Sequence, residues 1–323
     1  MRVAVIGAGL AGLAAARTLR TQPGVEEVVV FDKGRSVGGR MATRRIGDAR
    51  LDHGAQFFTV RHDEFRAQVD DWRQRGLVRV WCRGFGNDDG HPRFIGSSGM
   101  NSLAKDLATG LAEGTQLHLG SRIFEVARSG GRWHITVDDG ARHHADALVA
   151  TCPISQTWAI LAPGGYDGAP ERLWRTPYHP VVGLLVVLDR PSAVPEPGGV
   201  QFDPTDPEAP FGFVGDNHQK GISPVPAVTF HATQPWSARH VDADDAFLRD
   251  ELLARAQPWL GDATVLEAHV KRWRLATPSV PWPDSCWVDH EARLALAGDV
   301  FAGPRVEAAY RSGLAAAHAV TSG

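Results

Sequence analysis

Apolar and polar positions alternate along this chain in two distinct rhythms. Unbroken apolar runs at Arg2–Ile6, Val28–Phe31, Asp146–Ala150, Val181–Leu188, Ala227–Thr233 and Leu294–Ala297 predict strands. Trp133, Ile135 and Val137 alternate with His134, Thr136 and Asp138 before Asp139-Gly140, which predicts a hairpin. Helical spacing appears in the Ala-Leu stretch Leu13–Leu19, and in Asp63–Arg75, where Phe65, Val69 and Trp72 form the apolar stripe. It recurs at Leu103, Leu107 and Leu111, entered through Ser98 or Asn101 as cap, and over Asp244–Gln257, capped by Asp242 or Asp244. From about Pro153 to His290 the texture changes: prolines are dense and seven of the ten tryptophans fall there. A second domain is expected in that stretch.

Composition narrows the class. A chain of 323 residues with 43% hydrophobic residues suffices for about two globular domains. The net charge of −3, without a long basic run, argues against a nucleic-acid partner. Cys82, Cys152 and Cys286 lie far apart and form no C-x-x-C, which excludes a clustered metal or dithiol site and suits a reducing compartment. The apolar start is better used as a strand than as a secretory signal, and the longest apolar run is far shorter than the roughly 18 residues of a membrane span. A soluble, cytoplasmic protein is expected.

The chemistry concentrates at the first strand. Arg2–Ile6 runs into Gly7-Ala8-Gly9-Leu10-Ala11-Gly12, a G-x-G-x-x-G between strand and helix, and the next run ends in Asp32, about 20 residues beyond the last glycine. Gly7 permits the tight turn, Gly9 leaves room for a pyrophosphate, Gly12 allows helix and strand to approach, and the helix N-terminus offers N–H donors. Asp32 is placed to accept from a ribose hydroxyl. Beyond it, Lys33-Gly34-Arg35-Ser36-Val37-Gly38-Gly39-Arg40-Met41 adds a glycine pair and an arginine that an adenosine half does not need, and these suit a longer cofactor.

These motifs resemble the FAD-dependent amine oxidase superfamily. The resemblance implies an α/β fold: a discontinuous Rossmann-type FAD-binding domain of the amine oxidase/p-hydroxybenzoate hydroxylase type (residues 1–66, 94–152 and 291–323) with an inserted α+β, mixed-sheet substrate domain (67–93 and 153–290). It implies FAD contacts from Gly7, Gly9, Leu10, Ala11 and Gly12, from Asp32 and Lys33, and from Gly39, Arg40 and Met41. Further contacts are implied at Gly54, Ala55, Gln56 and Phe57, at Val126 for the adenine, at Gly298 and Asp299 for the ribityl-phosphate portion, and at Glu307 and Ala308, where a helix N-terminus meets the flavin pyrimidine. The chain departs from the usual pattern with Asp32 in place of Glu and Ala308 in place of Gly. On residue type alone, Gly54–Phe57 would read as a buried loop beside core phenylalanines.

Within the superfamily, Leu51–Phe58, Phe230–Trp236, Lys271–Arg274 and Ala297–Phe301 resemble renalase and its bacterial relatives. The implied activity is oxidation of the 2- and 6-dihydro isomers of NAD(P)H, with O2 reduced to H2O2. Because loss of hydride from a dihydropyridine needs no proton removal, no catalytic acid or base is assigned, and no metal. Phe57, Asn217, His231, Thr233, Trp236 and Trp273 are the pocket candidates, though single histidines and tryptophans more often serve structure. FAD is expected to be held non-covalently, and the protein to be a monomer or weak homodimer whose partners are a small molecule and O2. Two alternatives stand beside this reading: an amine or other small-molecule oxidase, and a flavin-binding protein without turnover.

Overall fold

The computed structural model describes residues 1–111 and 113–322. Its first unit is built on a six-stranded sheet in the spatial order 287–289, 294–296, 147–150, 2–6, 27–32, 115–119. Five of these strands run parallel, and Trp287–Asp289 closes one edge antiparallel to Leu294–Leu296. Both faces are covered, which is why the strands read as continuous apolar runs. Val3, Val5, Val28, Val30, Ala147, Val149 and Ala295 face helices Leu10–Leu19, Asp63–Gln74, Asn101–Thr109 and Val306–Thr321. Their neighbours Ala4, Ile6, Val29, Phe31, Leu148, Ala150, Leu294 and Leu296 face a three-stranded antiparallel sheet, Ile123–Ser129, Arg132–Val137 and Arg142–Ala145.

The second unit is a five-stranded antiparallel sheet in the order 199–201, 211–216, 227–232, 178–188, 265–278. Strand Tyr178–Leu188 divides its side chains between two cores. Val182, Leu184, Val186 and Leu188 pack with helices Gln234–His240 and Asp245–Leu260, while Leu185 and Val187 meet Ile46, Ala49 and Leu51. The latter three belong to a short hairpin, Thr43–Ile46 and Ala49–Asp52, which emerges from the first unit and plugs the open face of the second sheet.

Most sequence expectations for single elements hold, with instructive exceptions. Asp244 caps the long helix, accepting from Phe247 N–H at 2.8 Å. Neither Ser98 nor Asn101 caps Asn101–Thr109; the first N–H groups of that helix instead donate to the Asp52 carboxylate and the Thr43 hydroxyl, side chains some fifty positions away. Phe65, Val69 and Trp72 all enter the first core, so the helix Asp63–Gln74 is one piece with the first unit across the division expected at 66/67. Trp287–Asp289 likewise belongs to the first sheet, ahead of the expected division at 290/291.

Candidate functional site

The glycine turn has the geometry its spacing requires. Gly7 sits at φ +106°, and a Cβ on Gly12 would run into the Gly7 carbonyl, so both positions exclude side chains. Gly9 meets the opposite condition: nothing lies within 4 Å of where its Cβ would stand, and it begins helix Leu10–Leu19 with no side chain capping that end. Open space beside an uncapped helix N-terminus is an anion cradle. Gly38 N–H donates to the Ala8 carbonyl at 2.9 Å, which lays the Gly38-Gly39 pair along the turn. Asp32 closes the arrangement, its Oδ2 accepting from Ala8 N–H and its Oδ1 from Gly34 N–H, both at 2.6 Å. Each carboxylate oxygen retains a further lone pair for a hydroxyl donor.

Arg40 carries the strand-end region toward the other terminus. Its guanidinium forks onto Asp299 (Nη1–Oδ2 2.5 Å, Nη2–Oδ1 2.6 Å) and also donates to the carbonyls of Leu275 and Ala276. Two candidates from opposite ends of the chain are thus one bidentate pair. Gly298, at φ +128°, donates to Ser312 Oγ at 2.9 Å, which fixes the Gly-Asp turn on the last helix. That helix starts at Val306 with no side-chain cap, so its N–H groups remain available, with Ala308 buried in the first turn. Glu307 does not offer its side chain: Oε1 accepts from Arg61 and His62 N–H at 2.7 and 2.8 Å, and Oε2 faces His62 Nδ1 at 3.3 Å. Burial would raise its pKa, but those donors outweigh it and hold the carboxyl below its ordinary value.

The segment 52–57 is clamped from both units. Gly54 lies on the Arg40 carbonyl with no room for a Cβ, and Ala55 N–H donates to that same oxygen at 2.8 Å. Asp52, fully buried, accepts from Thr43 Oγ1 (2.6 Å) and Met100 N–H (2.9 Å) on Oδ1 and from Lys220 Nζ (2.8 Å) on Oδ2. The His53 carbonyl accepts from Trp273 Nε1 at 2.6 Å and faces His231 Nε2 at 3.2 Å, while the His53 ring stacks on Trp273 at 5.4 Å. Two buried atoms here, His53 Nδ1 and Gln56 Oε1, have no partner within the protein. Orphaned polar atoms in a rigid loop fit a site that a ring system with donors and acceptors would complete. Burial pushes His53 down to about 3, with Lys271, His231 and Arg44 adding to the effect. Burial likewise pushes His231 down to about 4, partly countered by the His53 carbonyl. Both imidazoles are neutral at pH 7.

Of the pocket candidates, His231 and Trp273 converge on His53. Phe57 lies in an aromatic group with Trp81, Phe85 and Phe213, at centroid distances of 6.5, 5.3 and 6.0 Å. The other three are engaged within the protein. Asn217 is fully buried, its amide spent on Gly215, Ala227, Thr229 and Asp52 N–H. Thr233 is buried at the start of helix Gln234–His240 with its hydroxyl on the Ala209 carbonyl, and Trp236 is a core residue beside His240. Their polar groups are taken up by partners distant in sequence, the Ala209 carbonyl for Thr233 and Asp52 N–H and Thr229 for Asn217, which residue type does not reveal. Among the FAD candidates, Leu10, Ala11 and Met41 are buried around the turn, Gly39 approaches Gly9 Cα, and Lys33 reaches out to Gln156. Val126 is buried in the second core, its carbonyl against Gly164. Sequence reasoning gave no role to Asp52, Lys220, Trp81 or Phe85; their partners lie far away in the chain and leave no local signal.

Comparison with known proteins gives the family. Residues 5–72 match the NAD(P)-binding Rossmann-like domain, and residues 75–321 match the flavin containing amine oxidoreductase family. A flavin-containing monooxygenase, ustF1, from Aspergillus flavus is 25% identical over 53% of this chain and 37% of its own length. Coproporphyrinogen III oxidase from Mycobacterium leprae is 31% identical over 33% of this chain and 23% of its own. The chain thus spans well under half of these curated relatives. Among solved structures, a putative protoporphyrinogen oxidase from Exiguobacterium sp. 255-15 aligns with a TM-score of 0.73 at 15% identity, covering 98% of both chains. Putrescine oxidase with putrescine bound aligns with a TM-score of 0.72 at 15% identity, also over 98% of both. The family match spans most of the chain and includes Gly298 and Asp299, while the glycine turn, Asp32 and Arg40 lie in the Rossmann-like match: this protein belongs to the flavin containing amine oxidoreductase family.

Proposed function

We propose that the chain is an FAD-dependent oxidase acting on a small dihydropyridine, the 2- or 6-dihydro isomers of NAD(P)H. Bound FAD, held non-covalently, supplies the hydride acceptor at N5 and passes the electrons to O2 as H2O2. The observation that carries this reading is the state of the titratable groups around segment 52–57. His53 and His231 are neutral, and Asp52, the carboxylate within the segment, is saturated by Lys220, Thr43 and Met100 N–H. Amine oxidation must dispose of an ammonium proton, whereas a dihydropyridine that loses hydride becomes an aromatic cation with no proton to remove. Lys271 and Arg44 beside His53 also disfavour a cationic amine. The residues therefore position and desolvate: Trp273 holds the His53 carbonyl and stacks on its ring, Phe57 adds an aromatic wall with Trp81, Phe85 and Phe213, and the orphaned His53 Nδ1 and Gln56 Oε1 offer hydrogen bonds to a carboxamide.

Anaerobic mixing of the yellow holoprotein with candidate reductants tests this. The 2- and 6-dihydro isomers should bleach the flavin rapidly, with recovery in air, while 4-dihydro NADH and monoamines should do so at least a hundredfold more slowly. Acid precipitation should leave the pellet colourless. Faster reduction by a monoamine would replace this reading with an amine oxidase, and no reduction by any of them would favour a flavin-binding protein without turnover.

A further inference from the structure

Four residues on neighbouring strands of the five-stranded sheet stand in one register row: Phe213 opposite His231, His231 opposite Gly183, Gly183 opposite Lys271. Directly paired residues of antiparallel strands project to the same face, and here it is the face from which His231 reaches the His53 carbonyl. Three strand spacings of about 4.8 Å separate the aromatic end from the cationic end by roughly 14 Å. Gly183 is the odd member. It is not among the glycines at positive φ, and a Cβ on it would meet nothing closer than His231 Cδ2 and the Phe230 carbonyl, both at 3.5 Å. Glycine inside a strand costs about 0.5–1 kcal/mol against alanine. With neither backbone conformation nor packing requiring it, the missing side chain leaves a notch between His231 and Lys271, as where a ligand approaches a strand closely.

The cationic end lacks counter-ions. Lys271 is half-buried with Nζ 4.6 Å from the Trp273 ring centroid, and burial together with Arg44 lowers the pKa of its ammonium. Arg44, on the hairpin strand Thr43–Ile46, touches His269 Nδ1 at 3.4 Å, and Glu267 is turned to the other nitrogen of that ring at 3.0 Å. Among the described residues, no carboxylate forms an ion pair with Lys271 or Arg44. Both cations bear on the neutral His53 imidazole without an ion-paired carboxylate, an arrangement that a bound anion relieves.

We propose that this row is the floor of the substrate site and that Lys271 and Arg44 bind an anionic group of the substrate, whose flat ring lies over the notch toward Phe213. On the oxidase reading, on which the identity of the anion rests, it is the phosphate of the dinucleotide. The test uses oxidised holoprotein and unreactive ligands. Calorimetric titration with nicotinamide mononucleotide should show at least tenfold tighter binding than with nicotinamide riboside, and inorganic pyrophosphate should compete with the mononucleotide. Lys271→Met should bring that ratio near one, Arg44→Met should reduce it, and Lys271→Arg should keep most of it. Should Lys271→Met lose FAD, Lys271→Gln supplies the same ratio. A ratio near one in the wild type, no binding of mononucleotide or pyrophosphate, or a ratio undiminished in Lys271→Met would overturn the proposal. Rapid reduction by the dihydro isomers alongside a ratio of one sinks this proposal alone; a preserved ratio without reduction sinks the oxidase reading alone.

Discussion

Asp52 shows how one residue can hold two units to one candidate cofactor segment. Its carboxylate is shared among a hairpin hydroxyl, a helix N-terminus and a lysine from the second unit, with both charged partners fully buried. Burial lowers the Lys220 pKa and Asp52 opposes that shift, so neither charge is tolerable without the other. Lys220→Met should therefore destabilise the holoprotein by about 3–5 kcal/mol in urea unfolding, while Asp52→Asn with Lys220→Met should recover part of that loss. Equal loss in single and double variants would mean that the pair is not coupled. The sequence placed Asp52 inside the resembling stretch yet gave it no role, because its partner stands 168 positions away. Local pattern carries no information on such pairing. Asn217 and Thr233 show the converse: their polarity was legible, and the groups that they bond within the protein were not.

At the scale of elements, the decisive contact is between the first and last helices. Gly313 lies against Ala11, where a Cβ would collide with the Ala11 carbonyl. Gly313→Ala should force the helices apart at a cost of about 1–3 kcal/mol. Since Ala11 belongs to the glycine turn, FAD content on purification should fall with stability; unchanged FAD content and unfolding midpoint would show that the helices adjust freely. Strands and helices were largely legible because apolar periodicity follows directly from burial, on both faces in the parallel sheet and on one stripe in Asp63–Gln74. The start of Asn101–Thr109 was not legible. Its cap comes from Asp52 and Thr43, and tertiary capping leaves no mark in the residues around a helix start.

Over the whole molecule, the candidate cofactor site joins chain regions that share no local signal. Asp32 holds the glycine turn and Asp299 holds Arg40, so each carboxylate serves the protein as well as any sugar hydroxyl. Asp32→Ala and Asp299→Ala should each weaken FAD retention by about 1–3 kcal/mol, read as flavin content after gel filtration. Asp299→Ala should lose more, because it leaves the Arg40 guanidinium without its carboxylate; full retention in both variants would misplace the site. The fingerprint at Gly7–Gly12 was legible from spacing alone, but that its cradle needs Leu294–Thr321 was legible only through the resemblance.

That dependence sets an order of events during synthesis. A ribosome releases the glycine turn, Asp32 and Arg40 well before Asp299, which lies 259 residues beyond Arg40, and before the helix that closes on Ala11. At about 5–20 residues per second the nascent chain waits tens of seconds with its central parallel sheet missing the strand Leu294–Leu296. The candidate site is therefore complete only after Leu294–Leu296 and Val306–Thr321 have left the ribosome, and a chain that carries only the glycine turn, Asp32 and Arg40 should retain little flavin.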